Sequence, residues 1–379
     1  MRGGLALNKP VGISSFDIIR RLRQLLRTAC KSGLEEKSGK GYRSSGKIDS
    51  TKGVADTGLT ASTGSFANIM DTVCVTGGGT SVTSVTEGSS DSKDTTEDVG
   101  VTGSVTGGVT GRVKMGHAGT LDPAASGLML ILFGEATRVQ HLLKDLDKEY
   151  VAIVHLGVET DTLDSEGEIV REAPVPDICI KEIKQALSLL QGRRMQRPPR
   201  YSALKVQGRR GYQKARAGED FELPEREVNI FEIELLEWKP PFLSIRTRVS
   251  SGTYIRSLAA EIGHKLNLPA SLASLVRTRV GTFRLADAFE LDGLDVESVR
   301  GNMIPIERLL QHIPQKEIAD DQCLRLLQGQ PLVCRAEDEL LNAPHCLLFS
   351  RNKSQAFLCE PREGMLWSRR LIYKDVCDE

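Results

Sequence analysis

Between Lys31 and Arg112 the chain holds 16 Gly, 13 Ser and 14 Thr in 82 residues, with no Pro and no Trp. Val-Thr-Gly recurs there, as in VGVTGSVTGGVTG. So little large apolar surface cannot offset the ordering entropy, and the segment 31–111 is expected to be a disordered insert. Its Val and Thr content makes short strands the alternative. Gly77-Gly78-Gly79 is no phosphate loop, because neither G-x-x-x-x-G-K-[ST] nor G-x-G-x-x-G follows a strand-like run there. The fold must therefore be built from the flanking 297 residues.

Those flanks have ordinary globular patterning. Leu5–Leu7 reads as a strand, broken by Lys9-Pro10-Val11-Gly12. Ser14 and Ser15 offer an N-cap for a helix with Phe16, Ile18, Ile19, Leu22, Leu25 and Leu26 on one face. Beyond the insert, Leu128–Phe133 is an apolar run of strand length, and Glu135–Leu143 looks helical. Tyr150–Leu156 predicts a strand and Ile178–Leu190 an amphipathic helix. Val228–Leu236 and Leu243–Val249 predict a strand pair, then Thr253–Leu266 a helix and Leu275–Val280 a strand. Mixed elements without a regular βαβ beat imply an α+β fold around a largely antiparallel sheet. Residues 1–30 and 112–300 form the expected main domain, and 301–379 a small second one.

The charges balance, 50 basic against 50 acidic, so a nucleic-acid partner must reveal itself as a local cluster. No run of 18 apolar residues is present and no membrane span is expected. The N-terminus lacks the apolar core of a signal peptide. Eight scattered cysteines with no C-x-x-C pair exclude a zinc knuckle and suggest reduced thiols in the cytoplasm. The six histidines show no paired metal spacing, and Thr160–Gly167 has the wrong ligand spacing for calcium. No metal and no cofactor is expected.

Three segments stand out. Lys114–Gly127 is a polar, glycine-punctuated loop entering a buried strand, a common setting for catalytic groups. Within it Asp122 precedes a proline, and on spacing alone an Asx turn is the leading reading. Arg193–Arg216 carries nine basic residues in 24: Arg193, Arg194, Arg197, Arg200, Lys205, Arg209, Arg210, Lys214 and Arg216. No acid falls among them, and Tyr201 and Tyr212 are interleaved, which suits a phosphate backbone with stacking bases. Arg256 opens a predicted helix, where a cation opposes the helix dipole. It serves either a carboxylate or phosphate, or is a plain surface arginine.

Together these segments resemble the bacterial tRNA pseudouridine-55 synthase family. Four separated motifs occur in family order. They are Leu7-Asn8-Lys9-Pro10-Val11-Gly12-Ile13-Ser14-Ser15, Gly116-His117-Ala118-Gly119-Thr120-Leu121-Asp122-Pro123, Arg197-Pro198-Pro199-Arg200-Tyr201-Ser202-Ala203-Leu204-Lys205 and Gly252-Thr253-Tyr254-Ile255-Arg256. The resemblance spans nearly everything except residues 31–111. It implies an α+β catalytic domain with a mixed, mostly antiparallel sheet, and a small C-terminal PUA-like RNA-binding β domain in 301–379.

The implied activity is isomerisation of uridine 55 in the T-loop of tRNA. The N-glycosidic bond breaks, the uracil rotates and rejoins through carbon 5, with no net redox change. Asp122 matches the catalytic aspartate, as nucleophile or base, and Arg256 the arginine that pairs with it; a nearby cation favours the ionised carboxylate. His117 matches the residue that fills the space left by the extruded base. Tyr150 matches the aromatic that stacks on the target uracil, and Leu275 an apolar wall of the pocket. Lys9 and Pro10 are expected to brace the active-site loop, and the basic segment to grip the T-arm. The implied partner is tRNA, bound by a monomer.

Two other readings stay open at this point. One is a guide-RNA-dependent synthase of the archaeal or eukaryotic type; the other is a non-catalytic RNA-binding or tRNA-folding protein. The insert enters just before the catalytic loop. Because loop-closure cost grows slowly with length, excising 32–111 is expected to leave activity within about an order of magnitude.

Overall fold

The computed structural model describes residues 1–38, 113–202, 204–206, 209–219, 221–335 and 338–375. The disorder expected for 31–111 lies outside the described residues, except where the first helix runs on to Ser38. Met1–Glu35 and Thr110–Glu379 make up one compact unit.

Strand β1 (Gly3–Lys9) leads to helix α1 (Ser15–Ser38). The helix begins where Ser14 and Asp17 cap each other: the Ser14 hydroxyl and amide donate to Asp17 Oδ2 at 2.7 and 2.9 Å, and the Asp17 amide donates to Ser14 Oγ at 3.2 Å. Past the insert come β2 (Met115–His117), β3 (Ser126–Phe133), a short helix α2 (Gln140–Lys144) and β4 (Lys148–Leu156). A ribbon of β5 (Val158–Thr160) and β6 (Ile169–Glu172) follows, then α3 (Ile180–Ser188) and β7 (Gly192–Gln196). The basic segment folds into a hairpin of β8 (Lys205–Val206) and β9 (Arg209–Arg210). Long strands β10 (Arg226–Lys239) and β11 (Phe242–Val249) precede α4 (Ile255–Lys265), β12 (Ala270–Val280), β13 (Phe283–Arg284) and β14 (Phe289–Glu290).

The main sheet runs β14-β1-β3-β12-β4-β11-β10-β7, with β2 on β3 and β13 on β12. Only β1 with β14 and β12 with β3 pair in parallel, so the sheet is mixed and mostly antiparallel. Both of its faces are covered, which explains the unbroken apolar run in β3. Met129, Ile131 and Phe133 point into one core with Leu5, Leu7, Ile18, Leu22 and Leu258. Leu128, Leu130 and Leu132 point into another with Leu309, Leu347, Leu358 and Ile372.

The C-terminal block is a five-stranded sheet, β15-β17-β18-β19-β16. Its strands are β15 (Gln315–Ile318), β16 (Leu332–Val333), β17 (Cys346–Ser350), β18 (Gln355–Arg362) and β19 (Met365–Lys374), with helix α5 (Asp320–Leu327) against them. One side has its own core around Phe357, Cys346 and Cys359. The other shares the second core of the main sheet. Arg138 ties the seam by donating to the Leu371 and Ile372 carbonyls at 2.9 and 2.7 Å. Among the described residues no helix is long and apolar enough to cross a membrane.

Candidate active site

The loop between β2 and β3 carries Asp122, and the rest of the fold holds its backbone from two sides. From the N-terminal strand, the Lys9 amine reaches the carbonyls of Ala125 (2.5 Å), Pro10 (3.0 Å) and Pro123 (3.2 Å). The Gly12 amide donates to Pro123 O at 2.9 Å. Ser15 both accepts from the Leu121 amide and donates to its carbonyl, each at 2.9 Å. Lys9 is fully buried. Burial pushes its amine down to about 8; the charge of Asp122 pulls it up and Arg277 pushes it further down.

From β12, the Arg277 guanidinium donates to Leu128 O (2.7 Å), Gly119 O (3.2 Å) and Thr120 O (3.4 Å). At the exit of the loop, Gly127 has φ +106°, and a Cβ there would lie 2.4 Å from the Arg277 carbonyl oxygen. Only glycine fits this approach of the two backbones.

Arg256, in the first turn of α4, meets Asp122 from the opposite side. Its Nη2 lies 3.0 Å from Asp122 Oδ2 and its Nη1 3.2 Å from Asp164 Oδ2. It also donates to the carbonyls of Tyr201 (3.0 Å) and Thr162 (3.2 Å). Its side chain is 8% exposed while that of Asp122 is 47% exposed. The pair therefore has a protected cation and an accessible carboxylate, the form needed by a group that must touch a substrate. The helix dipole opposing Arg256 is outweighed by two carboxylates and two carbonyls.

The fold places the other expected residues as follows. Tyr150, on β4, is buried and stands opposite Arg277 in the β4–β12 register. Leu275 is the cross-strand partner of Ala152 and packs on the first core. His117 ends β2; burial and then the charge of Lys144 hold its imidazole below the usual histidine range, and among the described residues its buried Nδ1 has no hydrogen-bond partner. Pro10 follows Lys9 and is exposed. A cavity of 830 Å³ opens nearby, lined by Thr160 at the end of β5, Asp161 and Leu163 after it, Pro198–Tyr201 and Glu261 of α4; Asp122, Tyr150 and His117 do not line it.

The basic segment is less positive in three dimensions than in sequence. Glu219, Glu222 and Glu225, just past its end, fold back onto it. Arg197 lies 3.4 Å from Glu225 and 3.6 Å from Glu222, and Lys214 lies 3.5 Å from Glu219. Arg209 pairs with Glu219 too. Arg200 donates to Glu219 O at 3.2 Å. Arg194 pairs with Glu261 at 2.9 Å, whereas Arg193 is exposed on β7. Lys205 and Arg210 are paired in the backbone register of the hairpin.

Two residues at the centre were not singled out from sequence. Asp164 sits in the acidic loop set aside as a failed calcium site; Leu163 beside it has φ +61°, an uncommon conformation for a branched residue. Arg277 sits in the alternating Leu275–Val280 run, where an arginine reads as solvent-facing. Among the described residues no group of acids, histidines and cysteines is placed to hold a metal.

Residues 108–255 match the model of the TruB family pseudouridylate synthase, N terminal domain. The chain is 42% identical over 221 residues to the tRNA pseudouridine synthase B of Chromohalobacter salexigens, an overlap of 57% of this chain and 72% of that protein. It is 46% identical over 182 residues to the enzyme of the same name from Francisella philomiragia, covering 48% of this chain and 60% of the relative. Among solved structures, a Cbf5-Nop10-Gar1 complex shares the fold at 24% identity and a TM-score of 0.50, over 69% of this chain and 77% of that one. With these likenesses added to the four ordered motifs, the chain belongs to the TruB family of pseudouridylate synthases.

Proposed function

We propose that this protein isomerises uridine 55 in the T-loop of tRNA to pseudouridine, with Asp122 as its catalytic carboxylate. The observation that carries this reading is the pair of an accessible Asp122 with a buried Arg256 at 3.0 Å. A guanidinium stays charged throughout the working pH range, so Asp122 has a permanent cation beside it. Starting the reaction asks for one such group, attacking ribose C1′ or removing the C2′ proton. The bond from C1′ to N1 then breaks, uracil turns, C1′ joins C5, and the C5 proton leaves while N1 gains one.

The target base is stacked in the folded T-loop and must be extruded, which costs a few kcal/mol. His117 stands where β2 enters the Asp122 loop, placed to fill the vacated space. Tyr150 and Leu275 are the aromatic and aliphatic faces for the extruded uracil. Arg193 and the basic segment from Arg197 to Arg210 face the T-arm, and the C-terminal sheet is read as a PUA-like second RNA contact. The substrate named for the two curated relatives, tRNA, agrees with this reading.

The test is direct. The purified protein alone is incubated with an unmodified tRNA transcript, and pseudouridine is mapped along the product. Modification confined to position 55 without any guide RNA supports the reading. Its absence, or a need for guide RNA and partner proteins, overturns it.

A further inference from the structure

Arg277 is 1% exposed, yet among the described residues it forms no ion pair with a carboxylate. Its charge also acts against other cations: Lys9 and Lys148 are both pushed down in part by it. Burying an uncompensated guanidinium is expensive, and packing alone would be served better by an apolar side chain. The acceptors it has gathered are therefore informative.

Two of them, the carbonyls of Gly119 and Thr120, belong to the loop that ends in Asp122. A third, Leu128 O, lies where that loop has become β3. Across the sheet on β4, Tyr150 stands opposite Arg277 in the strand register. One rigid, planar donor fork thus holds the Asp122 loop and lies beside Tyr150, while touching no exposed surface itself. An ammonium is a single point charge and cannot span the same set of carbonyls.

We propose that Arg277 is a positioning residue: it fixes the Asp122 loop in one geometry, beside Tyr150, before RNA arrives. The assignment rests on the pseudouridine-forming reading above. It extends that reading to a residue that contacts neither base nor ribose.

The experiment compares wild type, Arg277→Lys, Arg277→Met, Tyr150→Phe and the Arg277→Lys/Tyr150→Phe double variant. Single-turnover pseudouridine formation, transcript binding and amide exchange at residues 119–122 are measured on each. Arg277→Lys is expected to slow turnover about 10-fold and Arg277→Met about 100-fold, with transcript binding changed less than about 2-fold, since small misplacements act on the rate. Amide exchange in the loop speeds up in both Arg277 variants and stays unchanged in Tyr150→Phe. In the Tyr150→Phe background the Arg277→Lys loss is smaller than in wild type, because the two side chains stand opposite each other across β4 and β12 and neighbours couple.

A folded Arg277→Lys protein with wild-type rate and loop exchange overturns the proposal, as does a full product of the two single losses. Should Arg277→Met fail to fold, the lysine variant and its double carry the test. If wild type makes no pseudouridine, the functional reading fails, while loop exchange still decides whether Arg277 holds the loop.

Discussion

Asp122 and Arg256 sit 3.0 Å apart, and the arginine is much the more buried of the two. Replacing the carboxylate by its isosteric amide keeps the loop's shape and removes the reacting group. Asp122→Asn is therefore expected to lower pseudouridine formation by at least about 10³-fold, as loss of an essential catalytic group does. Transcript binding should stay within about 3-fold of wild type. Parallel filter-binding and single-turnover assays check this; an amide variant that isomerises normally ends the case for Asp122.

Arg256 also holds the fold together. Its removal strands Asp164, whose side chain is only 11% exposed. Breaking one side of a buried pair typically costs about 3–5 kcal/mol. Arg256→Met is accordingly expected to lose roughly 3 kcal/mol in denaturant melts. The Arg256→Met/Asp164→Leu double variant should recover part of that loss, since no unpaired carboxylate then remains buried in the loop.

Gly127 is the tightest backbone approach beside the Asp122 loop. With φ +106° and a carbonyl oxygen 2.4 Å from any added Cβ, Gly127→Ala must separate β3 from β12. A loss of about 3 kcal/mol or more is expected, combining overpacking with backbone strain. Gly12 has a positive φ too but nothing within 4 Å, so Gly12→Ala should lose only about 1 kcal/mol. Equal losses in the two melts would contradict this account.

The strands and the long helices were legible because each obeys one period: alternation in β11, helical spacing in α1, a two-faced apolar run in β3. Asp122 and Arg256 were legible through motif residues, and their pairing through the resemblance. Asp164 and Arg277 were not, because their meaning is tertiary. A loop acid becomes a partner only when β5 and β6 fold it over α4, and a strand arginine becomes interior only when β3 closes against β12. The basic segment differs in the other direction. It is less positive than its own residues suggest, because Glu219, Glu222 and Glu225 lie just beyond Arg216 and fold back onto it.

That difference separates two adjacent arginines. Arg193 is exposed, while Arg194 pairs with Glu261, whose carboxyl burial holds above its usual range. Arg193→Gln should weaken RNA binding and reduce the slope of log affinity against log salt by about 1, as loss of one phosphate contact does. Arg194→Gln should leave that slope alone and instead lower the melting temperature, since it unpairs a half-buried acid. Salt titrations of both variants check this, and a larger slope change for Arg194 would reverse the assignment.

Lys9 gives a pH signature. Burial lowers its amine from 10.5 to about 8, so between those values the unfolded chain carries more protons than the native one. Unfolding free energy therefore rises with pH across that window, and below pH 8 the cost of burying the charge is borne in full. Lys148, also brought down to about 8 by burial, acts in the same sense, so the wild type alone does not isolate either group. Comparing wild type with Lys9→Met removes the shared contribution. From about pH 7.5 to 9.5, wild type should gain roughly 1–2 kcal/mol relative to the variant. The amine would keep lone hydrogen-bond donors for Ala125 O and Pro123 O after losing its charge, so the loop's anchorage should outlast the titration. A stability difference flat over that range would mean that Lys9 does not titrate there.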